Sequence, residues 1–291
     1  MERLLPNFLH LLRDTVPWFL LGGIAGAAIQ AWLKPAWAMR WLGDGRGAVV
    51  TATVGGALLP GCALSTMPVA AALKQKGARL GTLTAFIMVA PILSPHTVAL
   101  TAAMLGWKIT LGRIVLPVAL SLVVGWTLNA WESRRSGVRP PAGVGGGDGG
   151  PDADSPPDRF WPGLGKTFFA LTPYLLAGLA VAAVLETVVP PDFMARHAQG
   201  GWAAYGVALA AGIPLYVCDG AEVPLTASLL QIGVGIGPAF TFLLSSVGTC
   251  LPTIAMAPRI IGGMATVIYV VAWLVLALGG GVLLAQLGPS P

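Results

Sequence analysis

The chain has 291 residues, 10% of them charged and 55% apolar, with a formal net charge of +5 and a mean hydropathy of +0.77. A soluble domain carries about 25% charged residues, so this chain has too few to cover a water-facing surface. Residues 47–73, 80–107, 223–258 and 260–291 contain no Asp, Glu, Lys or Arg; each exceeds the ~20 residues that cross a bilayer, which excludes a cytosolic enzyme, a nucleic-acid binder and a secreted disulfide scaffold.

In chain order, residues 1–13 read as an interfacial helix with Arg3 and Arg13 as its polar points. Hydrophobic segments follow at about 15–33, 48–73, 80–107 and 110–131, and again at 167–187, 202–230, 236–263 and 265–287. The first and last of each set fit plain membrane helices. The middle two are too long and are interrupted, by Pro60-Gly61 and by Pro91 to Pro95 in the first set, and by Pro214 and the Gly248 to Pro252 region in the second. Pro68 and Pro224 are further expected breaks. Proline removes an amide donor and clashes with the preceding turn, and irregular backbone at that depth survives only where it lines a protein-covered cavity. Long apolar runs rather than short alternating ones exclude a barrel. Residues 132–159, rich in Gly and Pro and carrying Asp152, Asp154 and Asp158, read as a flexible cytoplasmic tether. Trp32, Trp37, Trp107, Trp131, Trp161 and Trp202 lie near segment ends and read as an aromatic belt.

A shift of 156 residues superimposes the two sets without a gap. It carries Arg3 onto Arg159, Pro17 onto Pro173, Gly56 onto Gly212, Cys62 onto Cys218, Pro68 onto Pro224, Gly77 onto Gly233, Gly81 onto Gly237, Phe86 onto Phe242 and Gly106 onto Gly262. Matched prolines and a matched cysteine in one register mark an internal repeat. The expected fold is therefore an all-α polytopic membrane protein of two tandem repeats, 1–131 and 160–291, with about four hydrophobic segments each and the middle segments broken or re-entrant. An even number of crossings per repeat makes the copies parallel and an odd number inverts them; transporters use both. With four crossings, Arg3, Arg13, Lys74, Lys76, Arg79, Arg134, Arg135, Arg139, Arg159 and Lys166 share one side, which favours cytoplasmic termini in a bacterial inner membrane.

Candidate functional residues cluster at the breaks. Cys62 and Cys218 occupy equivalent positions in their long segments, and Ser94 and Cys250 form a second equivalent pair, with His96 two residues beyond the serine. If the halves pack about a pseudo-twofold axis, these positions converge near the membrane centre. Three thiols there, Cys62, Cys218 and Cys250, form a soft-ligand set suited to Cu(I), Zn and similar species; the plainer alternative is three small buried hydrophobes. Asp219 and Glu222 are the only carboxylates between residues 193 and 291, and a carboxylate in hydrocarbon requires a cavity, a partner or a conducting path. They fit proton or cation coupling, or capping of the half-helix that follows them. The first half has Ala63 and Thr66 in their place, so one coupling site is expected. His96 fits a ligand, a proton relay or a core histidine, and Thr66 and Ser94 are path-lining hydroxyls.

The stretches Cys62-x5-Pro68-x8-Gly77 and Leu215-Tyr-Val-Cys218-x5-Pro224-x8-Gly233, each followed by an apolar segment with a phenylalanine and a central break, resemble the bacterial two-repeat permease family that includes the organoarsenical permease ArsP. Here Pro60-Gly-Cys62-Ala-Leu-Ser-Thr-Met-Pro68 stands where many members carry two cysteines. The resemblance implies a carrier of a small thiophilic solute, either a trivalent organoarsenical or a transition-metal ion, with Cys62 and Cys218 as the positions to test. With no nucleotide-binding signature in the chain, proton antiport is the expected mechanism, and no cofactor is expected. An intramembrane enzyme built on Cys218, Asp219, His96 and Glu222, a permease for another solute and a membrane scaffold without a solute are the alternatives.

Overall fold

The computed structural model describes residues 46–58, 63–135, 201–213, 222–231 and 233–287, with isolated positions between 13 and 24 and between 161 and 176. Among the described residues every regular element is a helix: α1 (Arg46–Leu58), α2 (Ala63–Gln75), α3 (Leu80–Val89), α4 (Pro95–Leu105), α5 (Trp107–Arg135), α6 (Gly201–Gly212), α7 (Glu222–Gln231), α8 (Ile236–Gly248), α9 (Leu251–Ile261) and α10 (Gly263–Gln286). Two of them, α5 and α10, are long and apolar enough to cross a membrane alone. A third candidate is the pair α8 and α9, bent by 50° at its break. At 1.5 Å per residue the two arms still reach about 33 Å end to end, enough for a hydrocarbon core of about 30 Å.

The helix ends follow the chemistry of the residues there. Pro95 opens α4 at a position where its missing amide costs nothing. Pro91 lies in the turn between α3 and α4. Pro68 does not end a helix: it sits inside α2. Pro224 is the third residue of α7, within the first turn, where no intrahelical amide bond is lost. At the junctions α4–α5 and α9–α10 the chain turns on Gly106 (φ 80°) and Gly262 (φ 82°), a conformation that a side chain would strain.

The directions of the helices can be read from their contacts. Thr53 on α1 faces Ser121 on α5, with hydroxyl oxygens 3.5 Å apart, and Val49 lies at Gly125 of α5, so α1 and α5 are antiparallel. Helix α3 is also antiparallel to α5. Its first amides are capped from the far end of that helix, Gly81 N–H by Asn129 Oδ1 at 2.8 Å and Leu80 N–H by Glu132 Oε2 at 3.2 Å, while Ile92, beyond its other end, meets Arg113. Helices α1 and α3 therefore run in the same direction, and α2 must bring the chain back between them. At 13 residues each, about 20 Å, α1 and α2 form the arms of a hairpin that enters and leaves on one face. That first face carries Arg46, Lys74, Lys76, Arg79, Glu132 and Arg134. The second face carries Trp107 and Lys108. Arg46 thus shares a side with Lys74, which removes the four-crossing charge count as an argument for orientation.

The same arrangement recurs 156 residues on. Tyr205 of α6 lies at Gly237 and Gly212 at Ser245 and Ser246, so α6 and α8 are parallel. Helices α8 and α10 are antiparallel: Thr241 Oγ1 donates to Ala277 O at 3.0 Å, Trp273 Nε1 to Leu244 O at 2.8 Å and Tyr269 Oη to Gly248 O. Glycine pairs mark equivalent close crossings. A Cβ on Gly125 would lie 3.0 Å from Gly81 O, and one on Gly281 would lie 2.7 Å from Gly237 O. Small residues of this kind let membrane helices approach closely.

Between the two sets, α2 packs on α9 and α7 on α4, a reciprocal exchange, and α5 packs on α10. Gly112 lies at Leu284 and Gly280 at Leu116, so α5 and α10 are antiparallel to each other. Helices that are mates under the 156-residue shift therefore point in opposite directions.

The long helices present apolar side chains outward, unlike those of a water-soluble bundle, and the hydrophobic interior also holds many hydroxyls. Leu111, Val115 and Val123 on α5 and Val267, Val271 and Val275 on α10 are exposed, as are Trp107 and Met264 at the helix starts. Thr53, Thr66, Thr82, Thr97, Thr101, Ser121, Thr226, Thr241 and Thr253 are buried. Many of these hydroxyls donate back to the carbonyl three or four residues earlier, as in Thr53 to Val49 and Thr226 to Glu222, so burying them leaves no donor unsatisfied.

Candidate functional site: a buried ion pair between the two sets of helices

Wherever a helix is broken, its last carbonyls lose their intrahelical donors and need new ones. At the α3–α4 break the donor is Arg113 of α5. Its Nε bonds Ile92 O at 3.1 Å, one terminal nitrogen donates to Thr101 Oγ1 at 3.0 Å, and the other to Glu222 Oε1 at 2.7 Å. Arg113 and Glu222 are both fully buried and are the only buried charged side chains among the described residues. Arg113 comes from the first set and Glu222 from the start of α7 in the second, where a carboxylate also faces the positive end of the helix dipole. Hydrogen bonds between charged groups are short and about twice as strong as neutral ones, so this cluster joins the two sets firmly.

The equivalent place in the other set is filled without charge. The shift of 156 carries Ile92 to Gly248, Thr101 to Ala257, Arg113 to Tyr269 and Thr66 to Glu222. Tyr269 Oη donates to Gly248 O as Arg113 Nε donates to Ile92 O. Trp273 lies over Gly248 so closely that no Cβ fits there. Thr66 is fully buried. The correspondence extends to the N-caps of the second half-helices: Ser94 precedes α4 and its hydroxyl lies 2.8 Å from Thr97 Oγ1, while Cys250 precedes α9 with its Sγ 2.7 Å from Thr253 Oγ1.

Of the residues singled out from the sequence, Glu222, Thr66, Ser94 and Cys250 are all buried at the breaks or hairpin arms. His96, second in α4, is exposed. Cys62, Cys218, Asp219, Pro60 and Pro214 lie outside the described residues. No group of three or more His, Cys, Asp or Glu side chains placed to hold a metal occurs among the described residues. The residue that sequence reasoning missed is Arg113. It lies within the apolar run 110–131, where a charge needs a buried partner.

A helical bundle with an apolar exterior, a hydroxyl-rich interior and interrupted helices meeting around an internal ion pair defines a multi-pass membrane protein. Residues 2–145 and 157–285 match the ArsP-type family described as "Predicted permease", and the chain belongs to that family. It is similar to the UPF0718 protein YraQ of Escherichia coli K12, with 28% identity over 253 residues, covering 81% of this chain and 68% of that protein. A UPF0718 protein of Methanocaldococcus jannaschii is 23% identical over 282 residues, covering 72% of this chain and 74% of its own. The UPF0718 protein YcgR of Bacillus subtilis is 24% identical over 247 residues, covering 81% of each. No solved structure matches the chain.

Proposed function

We propose that this permease is a secondary transporter of two inverted repeats that exports a small thiophilic solute, a trivalent organoarsenical or a transition-metal ion, in exchange for protons. The observation that carries the transport reading is the antiparallel apposition of α5 and α10, which are mates under the 156-residue shift. Two equivalent helices related in this way require a pseudo-twofold axis lying in the membrane plane, the arrangement in which repeat-built transporters place a midplane site and open it alternately to each side. Each half contributes a hairpin, a broken crossing and a straight crossing. By length and composition the apolar run ahead of each hairpin, 15–33 and 167–187 in the sequence, is assigned to the third crossing that an inverted copy needs. In this reading 1–131 and 160–291 are the membrane halves, α5 runs on to Arg135, and the rest of 132–159 tethers the halves on the first face.

The solute and its coupling rest on residue chemistry. Positions 62 and 218 fall, by number, between the arms of the two hairpins, and Cys250 occupies the N-cap position of a half-helix at the α8–α9 break, so the three thiols are assigned to the soft-ligand site. Ser94, Thr66 and His96 are assigned to the path, and Glu222 with Asp219 to the proton. Everted vesicles test this directly. Uptake of a methylated trivalent arsenical or of a thiophilic metal ion should depend on the protein and on an imposed pH gradient. It should fall in Cys62→Ser, Cys218→Ser and Glu222→Gln at equal membrane abundance. Absence of protein-dependent uptake for every thiophilic solute, or full uptake in all three variants, overturns the assignment.

A further inference from the structure

We infer that Arg113 is a positioning residue for transport: with Glu222 it latches the second face shut, so that the resting protein opens toward the first face. The inference rests on the inverted-repeat permease reading above and concerns which face yields first.

The position of the cluster carries the argument. Arg113 lies six residues inside the start of α5, Thr101 four residues from the end of α4 and Glu222 nine residues from the end of α7. Measured from the second face these are depths of about 6–14 Å, between that face and the centre. The cluster ties three elements together there: the α3–α4 break, α5, and the hairpin arm α7 from the other half. Opening a path from this side requires α7 to leave α4 and α5, and that separates two fully buried charges.

Inversion places the mate of this cluster at the same depth below the first face. There Tyr269 makes one neutral bond to Gly248 O within its own half, Ala257 replaces Thr101, and Thr66 replaces Glu222. A hydrogen bond that joins α2 to α9 on that side, Lys74 Nζ to Arg259 O at 3.4 Å, is exposed and long. Among the described residues, one of two otherwise equivalent seals is held by a buried ion pair and the other is not. Separating the pair leaves two buried charges in need of new partners, such as the arriving solute, which links opening of the second face to an event in the path.

The test reads sidedness. With Cys62→Ser and Cys218→Ser as background, Cys250 is the reporter thiol for a membrane-impermeant maleimide, and Lys108→Cys, at an exposed position, marks which vesicle orientation presents the second face. The background protein should label at Cys250 from the first face in preference. Arg113→Met with Glu222→Met removes both charges together and should raise labelling from the second face at least about tenfold. Moving the latch, by Thr66→Glu and Tyr269→Arg combined with Arg113→Tyr and Glu222→Thr, should reverse the preferred face. Arg113→Lys, which keeps the charge but loses the planar set of donors, should give a smaller rise and decides the matter if the multiple variants do not accumulate. Unchanged second-face labelling in Arg113→Met/Glu222→Met, or in Arg113→Lys where that is the variant in hand, overturns the latch. Solute flux, measured in separate vesicles of the protein that keeps Cys62 and Cys218, separates this failure from that of the permease reading: flux there with unaltered sidedness in the labelling background rejects the latch alone, and no flux there rejects the transporter.

Discussion

At the α3–α4 break a carbonyl of the connecting turn is held by an arginine; at the α8–α9 break the equivalent carbonyl is held by a tyrosine. The backbones around the two are closely alike. Ser94 and Cys250 share nearly the same dihedral angles, φ −56° and −65° with ψ 137° and 138°, and Gly106 and Gly262 turn the chain at φ 80° and 82°. The duplicated frame tolerates either side chain because its demand is only for a donor long enough to reach one orphan carbonyl. What arginine adds is charge, and charge in this interior needs a partner, which the other half supplies at Glu222. The difference between the regions is thus not in how each break is closed but in whether closing it also binds the halves together.

The sharpest way to break this comparison is to leave one charge alone. Glu222→Leu strands the Arg113 guanidinium in a buried site, and removal of one partner of a buried pair costs about 3–5 kcal/mol. Loss of folded protein in a thermal or denaturant titration in detergent is the expected outcome, with Arg113→Met/Glu222→Leu recovering most of it. A single variant as stable as the double one would mean that the pair is not buried as described. Next come the crossings that both regions share. Gly281→Ala puts a methyl group 2.7 Å from Gly237 O, and Gly125→Ala puts one 3.0 Å from Gly81 O and 2.5 Å from Val49. Overpacking of this kind costs about 1–3 kcal/mol. Comparable losses at both sites in the same titration would show that the frames are energetically equivalent and that the asymmetry is confined to the breaks.

Much of this was legible in the sequence because the repeat is ungapped. The breaks at Pro91 to Pro95 and near Gly248 to Pro252 follow from prolines and glycines placed where two half-helices must meet, and the matching of Ser94 with Cys250 and of Thr66 with Glu222 follows from the register alone. Two things were not legible. Both long middle segments of a half carry central breaks, so composition could not say that α1 and α2 turn back while α8 and α9 go across; that depends on which helices lie side by side, as Thr53 and Ser121 do. Nor did the charge pattern reveal Arg113, since a lysine or arginine near a segment end usually reports topology. Its mate under the shift was the available signal: Tyr269 is also a long side chain with a donor at its tip, at the same distance from a helix-starting turn.

A smaller effect sharpens the comparison from the charged side. Thr101→Ala installs the residue found at the equivalent position, Ala257, and removes the acceptor of one Arg113 N–H bond. Arg113 keeps Ile92 O and Glu222, so the ion pair stays formed. The loss is one hydrogen bond to a charged group, about 1.5–3 kcal/mol, read from the same titration; no loss would show that Thr101 only fills space beside the guanidinium.

The smallest effect belongs to the neutral side. Tyr269→Phe deletes the hydroxyl that bonds Gly248 O and leaves in place the ring, which is fully buried and packs at 6.4 Å between centroids on Trp273. Trp273 remains anchored through Leu244 O, so α8 and α10 keep their pairing and only one orphan carbonyl loses its donor. A neutral bond of this kind contributes about 1 kcal/mol, a modest drop in thermal midpoint. Because that bond lies within one half, its removal should leave the labelling of Cys250 from each face nearly unchanged, whereas Arg113→Met/Glu222→Met shifts it. If Tyr269→Phe moves sidedness as far as the charge variants do, the two breaks are equivalent seals after all, and the ion pair has no special part in choosing which face opens.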